Sequence, residues 1–229
     1  MYKPTEILDF LTAASRGKHL FAPRKPEWIR GVIRLIRGTR NRIDYRLTYT
    51  TANPIPKEFI RLEPWETQYL YMLASRSRVG ILEIGRLKGG STLLLGAANR
   101  EVPIHSIDVA PKNDDYLRSI MDNLGVGHNV ELIVGDSQTA KYNSVGQLDL
   151  LFIDGDHSRE GCLNDLQNWW DSVVPGGHIV LHDCYFGNGV QDAVLEFVRS
   201  HDVRFVTSPY IVKEHRRYPN GSLCHMTKS

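Results

Sequence analysis

A chain of 229 residues, 41% of them hydrophobic, can bury one sizeable core but is too short for two full domains. No stretch approaches about eighteen apolar residues, and the first residues lack the apolar segment of a secretory signal, so we expect a cytoplasmic protein without a membrane span. Three widely spaced cysteines favour reduced thiols over a disulfide framework or a zinc site.

Charge divides the chain into two parts. Residues 1–60 hold 12 Lys and Arg against 5 Asp and Glu, which leaves 16 against 21 in residues 61–229. We therefore predict a basic helical extension over 1–60, which caps the site or makes a subunit contact, and a main domain over 61–229. Helices are expected in TEILDFLTAASRG and PEWIRGVIRLIRG. The basic residues could also meet nucleic acid, an anionic membrane surface, a phosphorylated or carboxylated substrate or an acidic subunit, or could simply be a solvated face.

The main domain alternates between helices and strands. A helix is predicted to open at Pro64. After it, the short apolar runs VGILEI, PIHSID, NVELIVG, LDLLFID and HIVLHD alternate with the helical segments STLLLGAANR, DDYLRSIMDNLG, SREGCLNDLQNWWDSVV and VQDAVLEFVRS. The tail, DVRFVTSP and SLCHMTK, reads as a strand pair with a turn at Asn220 and Gly221. This pattern predicts an α/β fold with a doubly wound, seven-stranded, mostly parallel sheet and an N-terminal helical extension.

A glycine-rich loop follows the first predicted strand. Glu83 and Gly85 end that strand, Gly89 and Gly90 follow, and a helix should start near Ser91. Such a loop leaves room for a ligand against bare main chain at the positive end of the helix. Its GxxxGG spacing differs from the GxGxxG of dinucleotide sites. Asp108 ends the next strand, where a carboxylate can accept hydrogen bonds from ribose hydroxyls.

The runs LEIGRLKGGST, SIDVAP, VGDS, LLFIDGDHSREGCLNDLQNWW and VPGGHIVLHDCY together resemble class I S-adenosylmethionine-dependent methyltransferases over about residues 60–200. The resemblance is closest to the small-molecule O-methyltransferase branch, with catechol-type, antibiotic-sugar and cephalosporin-hydroxylase-like members. It implies a Rossmann-like fold that binds S-adenosylmethionine. The implied cofactor residues are Glu83, Gly85 and Gly89 at the methionine end, Ser91 by the carboxylate, Asp108 at the ribose, and Asp136 with Ser137 at the adenine.

Acidic and imidazole side chains end the fourth and fifth strands. FIDGDHS and LHDC would bring Asp154, Asp156, His157, His182 and Asp183 into one cleft if the two strands are neighbours. The resemblance implies a divalent metal, either Mg, Mn or Fe, on Asp154, His182 and Asp183, with His157 as general base. His182 departs from the oxygen donors that are usual in the family, so it could instead only orient the acceptor.

The sequence therefore predicts that Asp154, His157 and Asp183 are catalytic. An alternative is that Asp154 is only a structural carboxylate at a helix start, without a metal, because GDHS also reads as the beginning of a helix that Ser158 caps. Tyr185, Phe186 and Asn188 could form one wall of the acceptor pocket, or simply a packed turn.

The predicted activity is O-methylation of a small-molecule hydroxyl, a sugar of a glycoside or polysaccharide precursor first and a catechol-like phenol second. A nucleic-acid methyltransferase is disfavoured because no [DNS]PP[YFW] tetrapeptide follows the fourth strand. A nucleoside-binding module without catalysis and an NAD-dependent oxidoreductase are the remaining alternatives. We expect a homo-oligomer.

Overall fold

The computed structural model describes residues 60–139, 142–185, 187–207 and 222–229. Of residues 64 and 65 it describes the backbone alone. The predictions for the basic extension, for Phe186 and for the turn at Asn220 and Gly221 lie outside the described residues.

The described elements alternate as predicted. The helices are α1 (Pro64–Ala74), α2 (Gly90–Ala98), α3 (Asp114–Leu124), α4 (Arg159–Trp169), which continues into a 3-10 turn (Trp170–Ser172), and α5 (Gly189–Phe197). The strands are β1 (Ile81–Ile84), β2 (Ile104–Asp108), β3 (Val130–Val134), β4 (Leu148–Ile153), β5 (Val173–Leu181), β6 (Val203–Phe205) and β7 (Cys224–Lys228).

In the described part of the chain these strands form one seven-stranded sheet in the order β3-β2-β1-β4-β5-β7-β6. Strands β1 to β5 pair in parallel, whereas β7 runs antiparallel to both β5 and β6. The predicted doubly wound, mostly parallel sheet and its final strand pair are confirmed. Strand order reverses between β1 and β4, and in such sheets the ligand site lies at that switch point, beyond the carboxyl ends of the strands.

Apolar side chains cover both faces of the sheet. Along β4, Leu150 and Phe152 pack with α1, α2 and α3, whereas Leu151 and Ile153 pack with α4 and α5. Adjacent residues of a strand point to opposite faces, so a strand buried on both sides reads as one continuous apolar run. The apolar run from Leu150 to Ile153 is thus explained by its central place in the sheet.

One predicted boundary is wrong. The helical segment SREGCLNDLQNWWDSVV was extended too far, because the 3-10 turn ends at Ser172 and Val173 already pairs with Leu148 in the sheet. The two valines are β-branched and gain more by packing in a strand than by prolonging the helix. Ser158, the capping residue of the alternative reading of GDHS, does cap α4, its hydroxyl accepting from the Gly161 backbone N–H at 3.1 Å.

Within the residues that the structure describes, none of the helices combines the length and the apolar character needed to cross a membrane.

Candidate active site

A cavity of about 990 Å³ opens at the carboxyl ends of β1 to β5, at the switch point. Most of the predicted site residues line it, namely Gly85, Ser91, Asp108, Asp136, Ser137, Asp154, His157, His182 and Asp183. Glu83 and Gly89 are not among the lining residues. The structure therefore brings the two predicted groups, for the cofactor and for catalysis, to one cavity.

Gly85 lets two neighbouring strand ends meet. Its φ is +86°, and a Cβ atom there would lie 2.2 Å from the main-chain oxygen of Asp154. No larger residue fits without displacing the strand end that carries Asp154. Gly89, with φ +85°, instead faces Leu117 of α3 and begins α2, so it shapes the loop from behind the cavity.

Glu83 lies beneath the cavity and is fully buried. Its carboxyl group accepts hydrogen bonds from the hydroxyls of Thr92 and Ser106, which join β1 to α2 and β2. Burial raises the pKa of Glu83, and these donors only partly offset that effect. Glu83 thus supports the start of α2, where Ser91 reaches the cavity.

Asp108 organises the glycine-rich loop. Its Oδ2 accepts from the backbone N–H groups of Arg86 at 2.9 Å and Leu87 at 2.8 Å, and its Oδ1 accepts from Ala110 N–H at 2.7 Å. A carboxylate offers about four lone-pair sites, so capacity remains for a ligand hydroxyl.

The loop after β3 forms the opposite end of the cavity. Asp136 accepts from the Gln138 backbone N–H and the Thr139 hydroxyl, both at 2.9 Å. The Ser137 hydroxyl donates to Asp165 of α4 at 2.7 Å, and Asp165 also lines the cavity. Burial raises the pKa of Asp165 to about 6, from an ordinary value of 3.8.

Four ionisable side chains form a chain of contacts at the ends of β4 and β5. Asp154 Oδ1 lies 3.3 Å from His157 Nε2 and 3.0 Å from His182 Nδ1. The other nitrogen of His182, Nε2, lies 3.1 Å from Glu66 Oε2 of α1. The order is therefore Glu66, His182, Asp154, His157, in which carboxylates alternate with imidazoles.

In this row of four side chains, each carboxylate and imidazole favours the charged form of its neighbour. Burial opposes ionisation of Glu66 and Asp154, but their imidazole and hydroxyl partners outweigh it and lower both pKa values. Burial alone would lower the pKa of His182, yet the two flanking carboxylates hold it well above 6.5. The hydrogen bond to Asp154 raises the pKa of His157, against a smaller effect of burial.

The structure does not support the predicted metal site on Asp154, His182 and Asp183. Among the described residues, no group of three or more His, Cys, Asp and Glu side chains is arranged to hold a metal ion. Both ring nitrogens of His182 lie at hydrogen-bonding distance from carboxylates, so both donate and no lone pair remains for a metal. His182 instead supplies a fixed positive charge between Glu66 and Asp154.

Asp183 follows β5 in a left-handed backbone conformation, with φ +52°. Asn188 stabilises this turn, since its side-chain amide donates to the Asp183 carbonyl at 2.5 Å while its Oδ1 caps α5. Asn188 therefore matches the packed-turn alternative rather than the acceptor wall, whereas Tyr185 does line the cavity. Asp183 Oδ2 lies 3.9 Å from His157 Nδ1.

Sequence reasoning missed two buried acids of the site, Glu66 and Asp165. Glu66 forms a capping box with Glu63 at the start of α1, a spacing that the sequence does display. Asp165 interrupts the apolar stripe of α4 formed by Cys162, Leu166 and Trp169, all of them buried. A carboxylate on the buried face of a helix was the available signal.

Comparisons with known proteins agree with this geometry. Residues 82–184 match a family model described as a methyltransferase domain. Among solved structures, the fold is similar to the S-adenosylhomocysteine-bound methyltransferase PaMTH1 of Podospora anserina, with a TM-score of 0.56 and 16% identity over 92% of this chain and 99% of that one.

Two further structures share the fold. The O-methyltransferase TomG of Streptomyces achromogenes, in complex with S-adenosylmethionine, has a TM-score of 0.51 and 16% identity over 90% of this chain and 92% of that one. A rRNA methylase from Streptococcus thermophilus has a TM-score of 0.50 and 17% identity over 71% and 93%. Identities this low relate the folds alone. The matched domain supports the prediction that this chain is a methyltransferase, and the solved structures bear out its Rossmann-like fold.

Proposed function

We propose that this enzyme methylates a hydroxyl group of a small molecule, foremost a sugar of a glycoside or polysaccharide precursor, with His157 as general base. The observation that carries the proposal is the position of His157 at the cavity. Its side chain is 45% exposed, and its Nε2 faces Asp154 at 3.3 Å. If Nε2–H donates to Asp154, the lone pair of Nδ1 is left to accept a proton.

The proposed cofactor orientation follows the lining residues. The methionine end of S-adenosylmethionine lies between Gly85 and Ser91, the ribose at Asp108, and the adenine at Asp136 and Ser137. In support, the N-terminus of α2 points at the proposed site of the methionine carboxylate, where a helix favours negative charge. This orientation directs the methyl group toward the Asp154 and His157 end of the cavity.

The proposed reaction is an in-line displacement. The acceptor oxygen forms a bond to the methyl carbon as the carbon–sulfur bond breaks, and sulfur keeps the electron pair. The hydroxyl proton passes to His157 Nδ1, so the products are S-adenosylhomocysteine, a methyl ether and a protonated imidazole. Asp154 stabilises that imidazolium, and buried Glu66 and His182 fix the position of Asp154. No step passes through a metal.

The charge of the cavity bears on the acceptor. Eight acidic residues are among those that line it, Glu63, Glu66, Asp108, Asp136, Asp154, Asp156, Asp165 and Asp183. Carboxylates repel the phosphates of nucleic acid and accept hydrogen bonds from hydroxyl groups, which favours a sugar over a polyanion. A catechol-like phenol is the second candidate. The shared fold of TomG and the rRNA methylase does not choose between these acceptors.

The test is methyl transfer from radiolabelled S-adenosylmethionine to a panel of glycosides and oligosaccharides, catechols, and RNA. We expect transfer to a hydroxyl of the first group, unchanged by chelator. In His157→Gln, kcat should fall by about 10²- to 10⁴-fold, because the general base is lost, while calorimetry shows unchanged S-adenosylmethionine affinity.

The matched control is His128→Gln, which makes the same change at an exposed residue distant from the cavity and should keep full activity. Equal rates for His157→Gln and the unmodified enzyme would exclude His157 as the base. Transfer to RNA alone would overturn the proposed acceptor class. Loss of activity in chelator that returns with added metal would overturn the metal-free reaction.

A further inference from the structure

Helix α4 holds one residue of the cavity, Ser137, by three hydrogen bonds. The hydroxyl of Ser137 donates to Asp165 Oδ1 at 2.7 Å. Its main-chain carbonyl accepts from Asn168 Nδ2 at 2.7 Å and from Trp169 Nε1 at 3.0 Å. Both the backbone and the side chain of Ser137 are thus fixed relative to the helix, and neither Oγ nor the carbonyl is free to turn.

Asp165 has a feature that structural hydrogen bonding leaves unexplained. Its side chain is fully buried, and its second oxygen, Oδ2, has no hydrogen-bond partner in the described part of the molecule. An unpaired buried carboxylate oxygen is unfavourable for folding. Burial raises the pKa of Asp165 to about 6, which leaves the carboxylate as the main form at neutral pH. In that form Asp165 can only accept, so Ser137 has to be the donor.

A serine hydroxyl has one hydrogen and two lone pairs. Because Ser137 gives its hydrogen to Asp165, it presents only lone pairs to a ligand in the cavity, which both residues line. The 6-amino group of adenine is a hydrogen-bond donor and matches these lone pairs. The 6-oxo group of hypoxanthine is an acceptor and opposes them.

We propose that Asp165 is a positioning residue that fixes Ser137 as a hydrogen-bond acceptor and thereby selects a 6-amino purine over a 6-oxo purine in the nucleoside cofactor. The inference rests on the cofactor orientation proposed above, with the adenine at Ser137.

The experiment compares the dissociation constants of S-adenosylhomocysteine and S-inosylhomocysteine by calorimetry at pH 7.5. The unmodified protein should prefer the adenosyl ligand by about 100-fold or more. In Asp165→Asn the new amide can donate to Ser137, which frees the serine hydroxyl to donate to a 6-oxo group, so the preference should narrow by about tenfold. Ser137→Ala should narrow it as well.

The double variant separates this role from a general structural one. If Asp165 acts through Ser137, adding Asp165→Asn to Ser137→Ala should leave the preference unchanged. Asp171→Asn, the same change at an exposed residue just beyond α4, is the control and should match the unmodified protein. An unchanged preference in Asp165→Asn, or a further change in the double variant, would overturn the inference. Failure of S-adenosylhomocysteine to bind the unmodified protein would instead overturn the proposed cofactor site.

Discussion

Replacing Asp165 with asparagine should change how the stability of the enzyme depends on pH. The pKa of Asp165 is about 6 in the folded protein, against an ordinary value of 3.8. Because the folded state binds this proton more tightly than the unfolded state, the group favours folding at low pH, and that contribution is lost as pH rises from about 4 to about 6. The difference between these two pKa values corresponds to about 3 kcal/mol, at about 1.36 kcal/mol per pKa unit.

Asparagine does not titrate, so the variant does not lose this stability as pH rises. The free energy of unfolding of Asp165→Asn, relative to the unmodified protein, should therefore increase by about 3 kcal/mol between acidic and weakly alkaline pH. For a protein of this size that equals about 6 to 12 °C in melting temperature. Urea unfolding across pH 4 to 8 measures it, with Asp171→Asn as control. Parallel curves for the two proteins would refute the reasoning.

Other predictions concern the base, the loop after β1 and the far side of the sheet. Because Asp154 raises the pKa of His157, methyl transfer should increase with pH through an inflection above 6.5, and this inflection should be absent from the residual rate of His157→Gln. Arg86 is buried and binds Asp114 through Nε and Nη2, while Nη1 donates to the main-chain carbonyls of Ser106 in β2 at 2.7 Å and Ile133 in β3 at 2.8 Å. Arg86→Met should therefore lower the free energy of unfolding, measured in urea, by about 3 to 5 kcal/mol. A loss under about 1 kcal/mol would contradict this. Burial, with a smaller effect of His178, lowers the pKa of His225 to about 4. The free energy of unfolding should therefore fall by about 3 kcal/mol as pH drops from 6.5 toward 4, because the folded protein resists protonation of this imidazole. His225→Gln should abolish this loss in acid titrations followed by circular dichroism.

The sheet could be predicted from the sequence because its signal is local. A strand covered on both faces, such as β4, is mostly apolar, and each of the five predicted runs ends within two residues of the end of its strand in the structure. The start of β5 was missed because Val173 and Val174 follow a helical segment without a glycine or proline between them. Their strand conformation depends on pairing with β4, which is a contact distant in sequence.

The sequence predicts the site residues that follow the ends of strands, but not the site residues that lie on helices. Asp108, Asp154 and His182 follow from the topology of a parallel sheet. Glu66 and Asp165 do not, because the sequence marks them as unusual helix carboxylates but does not tell that their helix faces meet the cavity edge. The role of His182 as a hydrogen-bonded cation required Glu66 to be placed first.

Strand β7 has a consequence for how the enzyme folds. It inserts between β5 and β6, which both precede it in the chain, so the sheet cannot close by adding strands in sequence order. Just before β7, the backbone N–H and hydroxyl of Ser222 donate to Glu66 at 2.6 and 2.7 Å, more than 150 residues away. Contacts between such distant segments form late, because the intervening loop must first be ordered. Glu66 therefore acquires its Ser222 partner only when this strand is inserted, and a chain stalled before that step presents no finished pocket to a nucleoside.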